Sequence, residues 1–301
     1  MRSTLAFLLA GCTAGVPVPP AAVALNNAGI EALTAGDLET ADARLSLALE
    51  YSPDFVDALM NLGVVELERG NFERARTLLG RARRLNPDVA QPHHALGVLA
   101  ERTGRPDQAS SHYYAALRVD PGFAPARQNL CRLLFAAGML EEALVQYRRL
   151  LATVPNDATV HAGMIETLER LGRSAEADAA LTRALARDPS SPALRLLEGR
   201  ALLRRGHVVD ALARFSPLAK RMDEIGARAL AFTGAAELSR GNLGAAAGAA
   251  RAALALFPDE PVATYVLALA LERAGSPDAA AWRARARAIL PDDPLLRELR
   301  R

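Results

Sequence analysis

A glycine returns every 34 residues along most of this chain, at Gly36, Gly70, Gly104, Gly138, Gly172 and Gly206, then after one extra residue at Gly241, and last at Gly275. A fixed period of that size describes an array of supersecondary units, none of which buries its apolar face alone, so neighbours must stack. Other positions keep step. Seven residues before each glycine stands a mostly small residue: Gly29, Gly63, Gly97, Cys131, Ile165, Gly199, Gly234 and Ala268. Five residues after it stands alanine in seven units: Ala41, Ala75, Ala109, Ala143, Ala177, Ala211 and Ala246. Small side chains at such offsets are what close helix crossings need. Proline closes most units, at Pro53, Pro87, Pro121, Pro155, Pro189, Pro258 and Pro291, with Asp223 in the remaining place. It removes a donor and disfavours helix in the residue before it, so a helix stops there.

Between these markers the apolar residues follow helical spacing, as in Leu59, Leu62 and Leu67, then Phe72, Ala75, Leu79 and Ala82. That spacing predicts two amphipathic helices per unit. The recurring glycine falls just past the first, where positive φ caps a helix without a Cβ penalty. Pro106 and Pro277 are expected at the opening turn of a second helix. Eight units are expected, near residues 22–55, 56–89, 90–123, 124–157, 158–191, 192–226, 227–260 and 261–293. The rhythm breaks between the sixth and seventh, where Ser216-Pro217 falls inside a second helix and one residue is inserted before Ala227. A bend or hinge is expected over 216–226, because proline inside a helix costs about 3 kcal/mol unless the helix kinks or ends. Residues 294–301 are expected to form a short capping helix, with Asp293 as its cap and Pro294 in its first turn, covering the edge of the last unit and Trp282.

This pattern of leucine, Gly/Ala, glycine, aromatic or leucine, alanine, alanine and proline resembles the tetratricopeptide repeat. The second unit carries it most fully, in Leu59, Leu62, Gly63, Gly70, Phe72, Ala75, Ala82 and Pro87. The resemblance spans residues 22–293 and implies an all-α fold, a right-handed α-solenoid of helix hairpins whose first helices line a concave groove. Leu25, Leu59, His93, Ala32 and Ala100 stand where the family has large aromatics, which implies thinner packing in some units. Positions two, five, six, nine, twelve and thirteen of each unit face the ligand in that family. Mapped here, they give a candidate binding wall of Asn27, Met60, Asn61, Val64, His94, Val98, Gln128, Asn129, Arg132 and Phe135, joined by Asn26, Ile30 and Leu67. Amide side chains can pair with the backbone of an extended segment while the apolar ones take its side chains. Asn27, Asn61 and Asn129 share one position of the unit, which leaves a structural and a binding role both open. The fifth and sixth units offer a different wall: Glu166, Glu169, Arg170, Arg200 and Arg204 with Leu196, Leu197 and Leu203.

The N-terminus reads Met1-Arg2-Ser3-Thr4-Leu5-Ala6-Phe7-Leu8-Leu9-Ala10-Gly11-Cys12. A basic residue, a short apolar run and Leu-Ala-Gly-Cys are similar to a bacterial lipoprotein signal, which implies a signal peptide over 1–11, cleavage before Cys12 and acylation (palmitate among the chains) of that cysteine. The apolar run is too short to span a bilayer. Acyl chains at about 0.8 kcal/mol per buried CH₂ would anchor the protein stably. Residues 12–21, with Val16-Pro17-Val18-Pro19-Pro20, are expected to form a stiff, extended tether. Thr13, rather than an acidic residue, follows the cysteine, so the family-level expectation is the outer membrane, facing the periplasm.

Charge and reactive side chains narrow the function classes. The 36 basic and 34 acidic residues leave a net charge of +2, too weak a field for nucleic acid. His93, His94, His112, His161 and His207 are scattered without metal-ligand spacing, and no nucleophile elbow, phosphate loop or dinucleotide fingerprint appears. No enzyme activity, cofactor, metal or small-molecule substrate is therefore expected. With Cys12 acylated, Cys131 would be the remaining thiol, at a small position where a buried structural role is expected. The one lysine, Lys220, disfavours the two-carboxylate clamp by which some of these proteins hold chaperone tails. The expected function is that of a lipid-anchored scaffold, monomeric outside its complex, binding another envelope protein, as the pilotins do that assist type IV pilus secretins. A scaffold lipoprotein of exopolysaccharide export, a regulatory subunit of an envelope glycan enzyme and a purely structural adaptor without a groove ligand are the alternatives.

Overall fold

The protein is described by a computed structural model over residues 17–289. Cys12, the signal segment and the expected cap at 294–301 lie outside the described residues. Sixteen helices follow one another, joined by turns, with no strand among the described residues. The first helices of the hairpins are α1 (Pro20–Ala35), α3 (Val56–Arg69), α5 (Ala90–Arg102), α7 (Ala124–Ala136), α9 (Ala158–Arg170), α11 (Pro192–Arg204), α13 (Glu224–Ser239) and α15 (Pro261–Arg273). Their partners are α2 (Leu38–Tyr51), α4 (Phe72–Leu85), α6 (Pro106–Val119), α8 (Leu140–Thr153), α10 (Ser174–Arg187), α12 (Val208–Leu218), α14 (Leu243–Leu256) and α16 (Ala279–Ile289).

All eight periodic glycines adopt positive φ, between 67° and 81°. Gly36 shows what this does: the chain reverses, its N–H reaches the carbonyl of Leu33 at 3.0 Å, and the Asp37 N–H reaches Ala32 at 2.9 Å. Two orphan carbonyls at the end of α1 are thereby satisfied. In four hairpins, the first, second, third and sixth, a glycine and the large residue sixteen places later fit together. A Cβ added at Gly63 would lie 2.7 Å from Leu79, at Gly97 2.4 Å from the Tyr113 ring, and at Gly199 2.3 Å from the Phe215 ring. Where isoleucine replaces glycine at Ile165, the large partner of the preceding hairpin, Tyr147, seats itself over Gly163 instead, 2.4 Å from where a Cβ would be.

The two classes of helix differ in burial. Every residue of α3 from Val56 to Leu67 except Asp57 is buried, whereas α4 buries Ala75, Leu79 and Ala82 and turns the rest outward. First helices from α3 onward are covered on most sides, whereas α1, at the end of the array, buries only Ala22, Asn26 and Gly29; second helices are amphipathic. The chain divides into an N-terminal unit up to Leu133 and a C-terminal unit from Leu134, the boundary falling within α7. The N-terminal unit holds several small apolar clusters, such as Ala41, Leu45, Leu62 and Val65. The C-terminal unit holds one long cluster from Leu196 to Ala286, with Phe215 stacked on Phe232 at 5.9 Å and Trp282 packed against its end.

Three boundaries depart from the sequence expectation. Pro20 and Ala21, assigned to the tether, belong to α1, because proline at the first helical position gives up an N–H that would have no partner anyway. The seventh hairpin opens at Glu224, before residue 227. Asp223 caps it by accepting from the Gly226 N–H at 3.0 Å, and Arg221 Nη2 binds the same carboxylate at 2.5 Å. Pro277 lies in a turn ahead of α16, closed by the Ala279 N–H on the Ser276 carbonyl at 3.1 Å, and not in the helix. In the broken stretch α12 contains Pro217 but ends one residue later at Leu218. The chain turns there through residues 219–223 before α13.

Candidate functional site

In the N-terminal unit the candidate wall is knitted together by side chains that reach back one repeat. Asn61 Nδ2 donates to Asn26 Oδ1 at 3.0 Å, in a buried bond between α3 and α1. Asn129 Nδ2 stands 3.0 Å from His94 Nε2 and donates to the Tyr113 hydroxyl at 3.3 Å. Burial pushes the His94 imidazole down to about 4, so at neutral pH the ring is uncharged and Nε2 accepts from Asn129. Phe123 meets the same ring edge-on at 5.6 Å. Asn61 and Asn129 hold one position of the repeat and each bonds the preceding position of the repeat before it, 35 residues back. Asn27, in the first repeat, is exposed.

The wall is thus layered. Met60, Asn61, Val64 and His94 are buried, the last at 1% exposure. Val98 and Asn129 are half-buried, and Asn27, Gln128 and Arg132 are exposed. Arg132 pairs with Glu101. An arginine at the repeat's thirteenth position uses the same 35-residue reach, with Arg102 Nη1 donating to the Leu67 carbonyl at 3.0 Å.

In the C-terminal unit Phe135 is half-buried, with the Arg170 guanidinium over its ring at 4.6 Å and Arg170 Nη1 donating to its carbonyl at 3.0 Å. Glu166 and Arg200 are brought together, but chiefly with each other and their neighbours. Arg200 Nη1 lies 3.0 Å from Glu166 and Nη2 2.9 Å from Glu169; Arg204 bridges Glu169 at 2.7 Å and Asp178 at 2.6 Å; Arg228 reaches Glu166 at 2.5 Å. Burial acts to raise the Glu166 carboxyl, but the charges of Arg228 and Arg200 outweigh it and hold the group below its usual range. This is a charge network closed on itself, with Arg200 at 6% exposure and its guanidinium 5.1 Å from the Phe232 ring.

One concavity on the N-terminal unit was not legible in the wall as mapped. A cavity of about 290 Å³ opens beside the starts of α3 and α5, lined by Val18, Phe55, Met60 and Val89 among apolar residues, and by Asp54, Asp57, Asp88, Asp120 and Gln91. Met60 belongs to the mapped wall; Asp57 and Gln91 hold its second position in two successive repeats, which is the signal that would have found them. Burial raises the Asp57 carboxyl.

Chemistry elsewhere is sparse. Cys131 is fully buried, and burial pushes its thiol up to about 12, so it stays protonated and unreactive. Among the described residues no three His, Cys, Asp or Glu side chains are grouped so as to hold a metal ion, and no helix is long and apolar enough to cross a membrane.

Family models and solved structures agree with this architecture. Tetratricopeptide repeat models match residues 32–99 and 102–164, residues 164–216, 196–261 and 233–294, and residues 90–113. No curated protein matches the chain. The structure resembles the Cut9–Hcn1 hetero-tetramer of the APC/C at 17% identity and a TM-score of 0.63, covering 91% of this chain and 55% of that one, about half its length. A tetratricopeptide repeat protein from Parabacteroides merdae is similar at 17% identity and a TM-score of 0.63, over 84% of this chain and all of that one. MamA is 20% identical over 56% of this chain and 92% of its own, with a TM-score of 0.48. With the repeat models running across both units and the glycine-capped hairpins in register with them, the chain belongs to the tetratricopeptide repeat family.

Proposed function

We propose that this protein is a lipid-anchored scaffold of a bacterial envelope, holding a segment of another envelope protein on the first-helix face of its N-terminal unit, with a type IV pilus secretin as the first partner to test. The tetratricopeptide fold is typical of protein–protein interaction, and no catalytic role is assigned to any residue. The observation that carries the reading is the layering of the wall. Its deep amides and imidazole are consumed in repeat-to-repeat bonds, while Asn27, Gln128 and Arg132 remain at the surface above them. A rigid floor with polar side chains above it suits an extended segment, whose backbone amides pair with side-chain amides.

The anchor rests on Leu9-Ala10-Gly11-Cys12, a sequence feature alone. A photocrosslinking residue at Gln128, in cells, is expected to trap one envelope protein, and Cys12→Ser is expected to move the scaffold from the membrane to the soluble fraction. Crosslinking only at second-helix positions would refute the face assigned here. Membrane retention of the serine variant would refute the anchor.

A further inference from the structure

We infer that the cavity beside α3 and α5 receives the side chain of an arginine carried by the bound partner segment; this deepens the scaffold reading and rests on it. The first argument is charge. Asp54, Asp57, Asp88 and Asp120 line the cavity and, among the described residues, no lysine, arginine or histidine does, although the chain as a whole carries +2. Asp54 shares its charge with Arg81 at 2.7 Å, and Asp120 accepts from the Gly122 N–H at 2.8 Å; among the described residues no cation pairs with Asp57 or Asp88.

The second argument is an amide with no protein partner at the cavity wall. Gln91 lines the cavity at 6% exposure, and its side-chain amide has no hydrogen-bond partner among the described residues. The residue is nine-tenths buried, yet its amide atoms are not sealed off and open to the cavity, where water holds them in the absence of a ligand. A fixed amide that faces an open cavity can exchange that water for a ligand's polar atoms. The raised Asp57 carboxyl is consistent with this, since its charge is disfavoured until a cation enters.

The shape of the ligand follows. A divalent ion is the wrong guest, because no three of the carboxylates stand close enough together to share one. Lysine brings one compact charge, whereas the guanidinium is planar and spreads five donors, which lets it reach a carboxylate and the Gln91 carbonyl oxygen from one position. Its methylene stem finds Met60 on the way.

The test uses the purified full chain and fluorescent pools of octapeptides, random except for a fixed fourth residue: arginine, lysine, citrulline or leucine. Anisotropy is expected to show the arginine pool binding at least tenfold tighter than the citrulline pool, which has the same shape without the charge. Asp57→Asn and Gln91→Leu are each expected to erase most of that preference while the leucine pool and the helical circular dichroism stay unchanged. Neither side chain has a hydrogen-bond or ion-pair partner among the described residues, so both variants leave the internal bonds of the fold in place. An arginine preference that is missing, or that survives both variants, overturns the assignment. Equal binding of the lysine pool overturns the guanidinium. If Gln128 still traps a partner while the pools show no preference, the cavity reading alone fails; if both are silent, the scaffold reading falls with it.

Discussion

At the residue scale, four of the hairpins close through a notch and a knob sixteen residues apart. Gly97 has a tyrosine ring where its Cβ would be, so Gly97→Ala forces Tyr113 off its seat. Overpacking of this kind costs about 1–3 kcal/mol. A urea titration is expected to show that loss, and Tyr113→Leu in the same chain is expected to return part of it. Sequence periodicity located the notch at once. The fate of the knob was less legible: nothing in the spacing says that Tyr147 would seat itself over Gly163, because that depends on which small residue a neighbouring helix offers. The amides show the same limit. Asn61 and Asn129 recur in step, yet only contact geometry shows that each reaches back to the residue one place earlier in the previous repeat.

At the scale of elements, α9, α10, α11 and α13 are linked at one level by carboxylates and guanidinium groups. Arg200 sits between two glutamates, so Arg200→Met leaves both without their shared partner. Removing one member of a buried pair costs about 3–5 kcal/mol, to be read from the urea midpoint at neutral pH. Acid should act on the same place. The Glu166 carboxyl is held below its ordinary value near 4.5, so its pairing contributes full stability above that value. The contribution is lost as the pH falls through the lowered folded value. Glu166→Gln is therefore expected to flatten the decline in unfolding midpoint between pH 6 and pH 3. The sequence showed these charges as a wall that a ligand could meet; their mutual pairing was invisible because one-dimensional spacing does not say whether two charges on adjacent helices face out or face each other.

At the scale of the molecule, stability is distributed unevenly. The C-terminal unit has one continuous cluster from Leu196 to Ala286, while the first hairpin buries Ala22, Asn26 and Gly29 from α1 and Ala41, Leu45 and Ala48 from α2. Local opening follows the density of buried apolar contacts. Hydrogen exchange under native conditions is expected to be slowest in α13 and α15 and fastest in α1 and α2. Slow exchange in α1 without a ligand would contradict this. The array itself was legible almost entirely from glycine, alanine and proline, since those residues mark caps, crossings and stops. The exceptions, Pro20, Asp223 and Pro277, sit at ends, where one proline or aspartate can either begin a helix or precede it.

The hydrogen bond between Asn61 and Asn26 has a further consequence for how such a chain assembles. Repeats this alike invite a hairpin to dock on the wrong neighbour by skipping one copy. If the third copy docked in place of the second, Ala95 would stand where Asn61 does, and the Asn26 amide would be stranded in the seam. The first and second copies are thereby labelled as consecutive, so a polar bond of modest strength serves as an address rather than as glue.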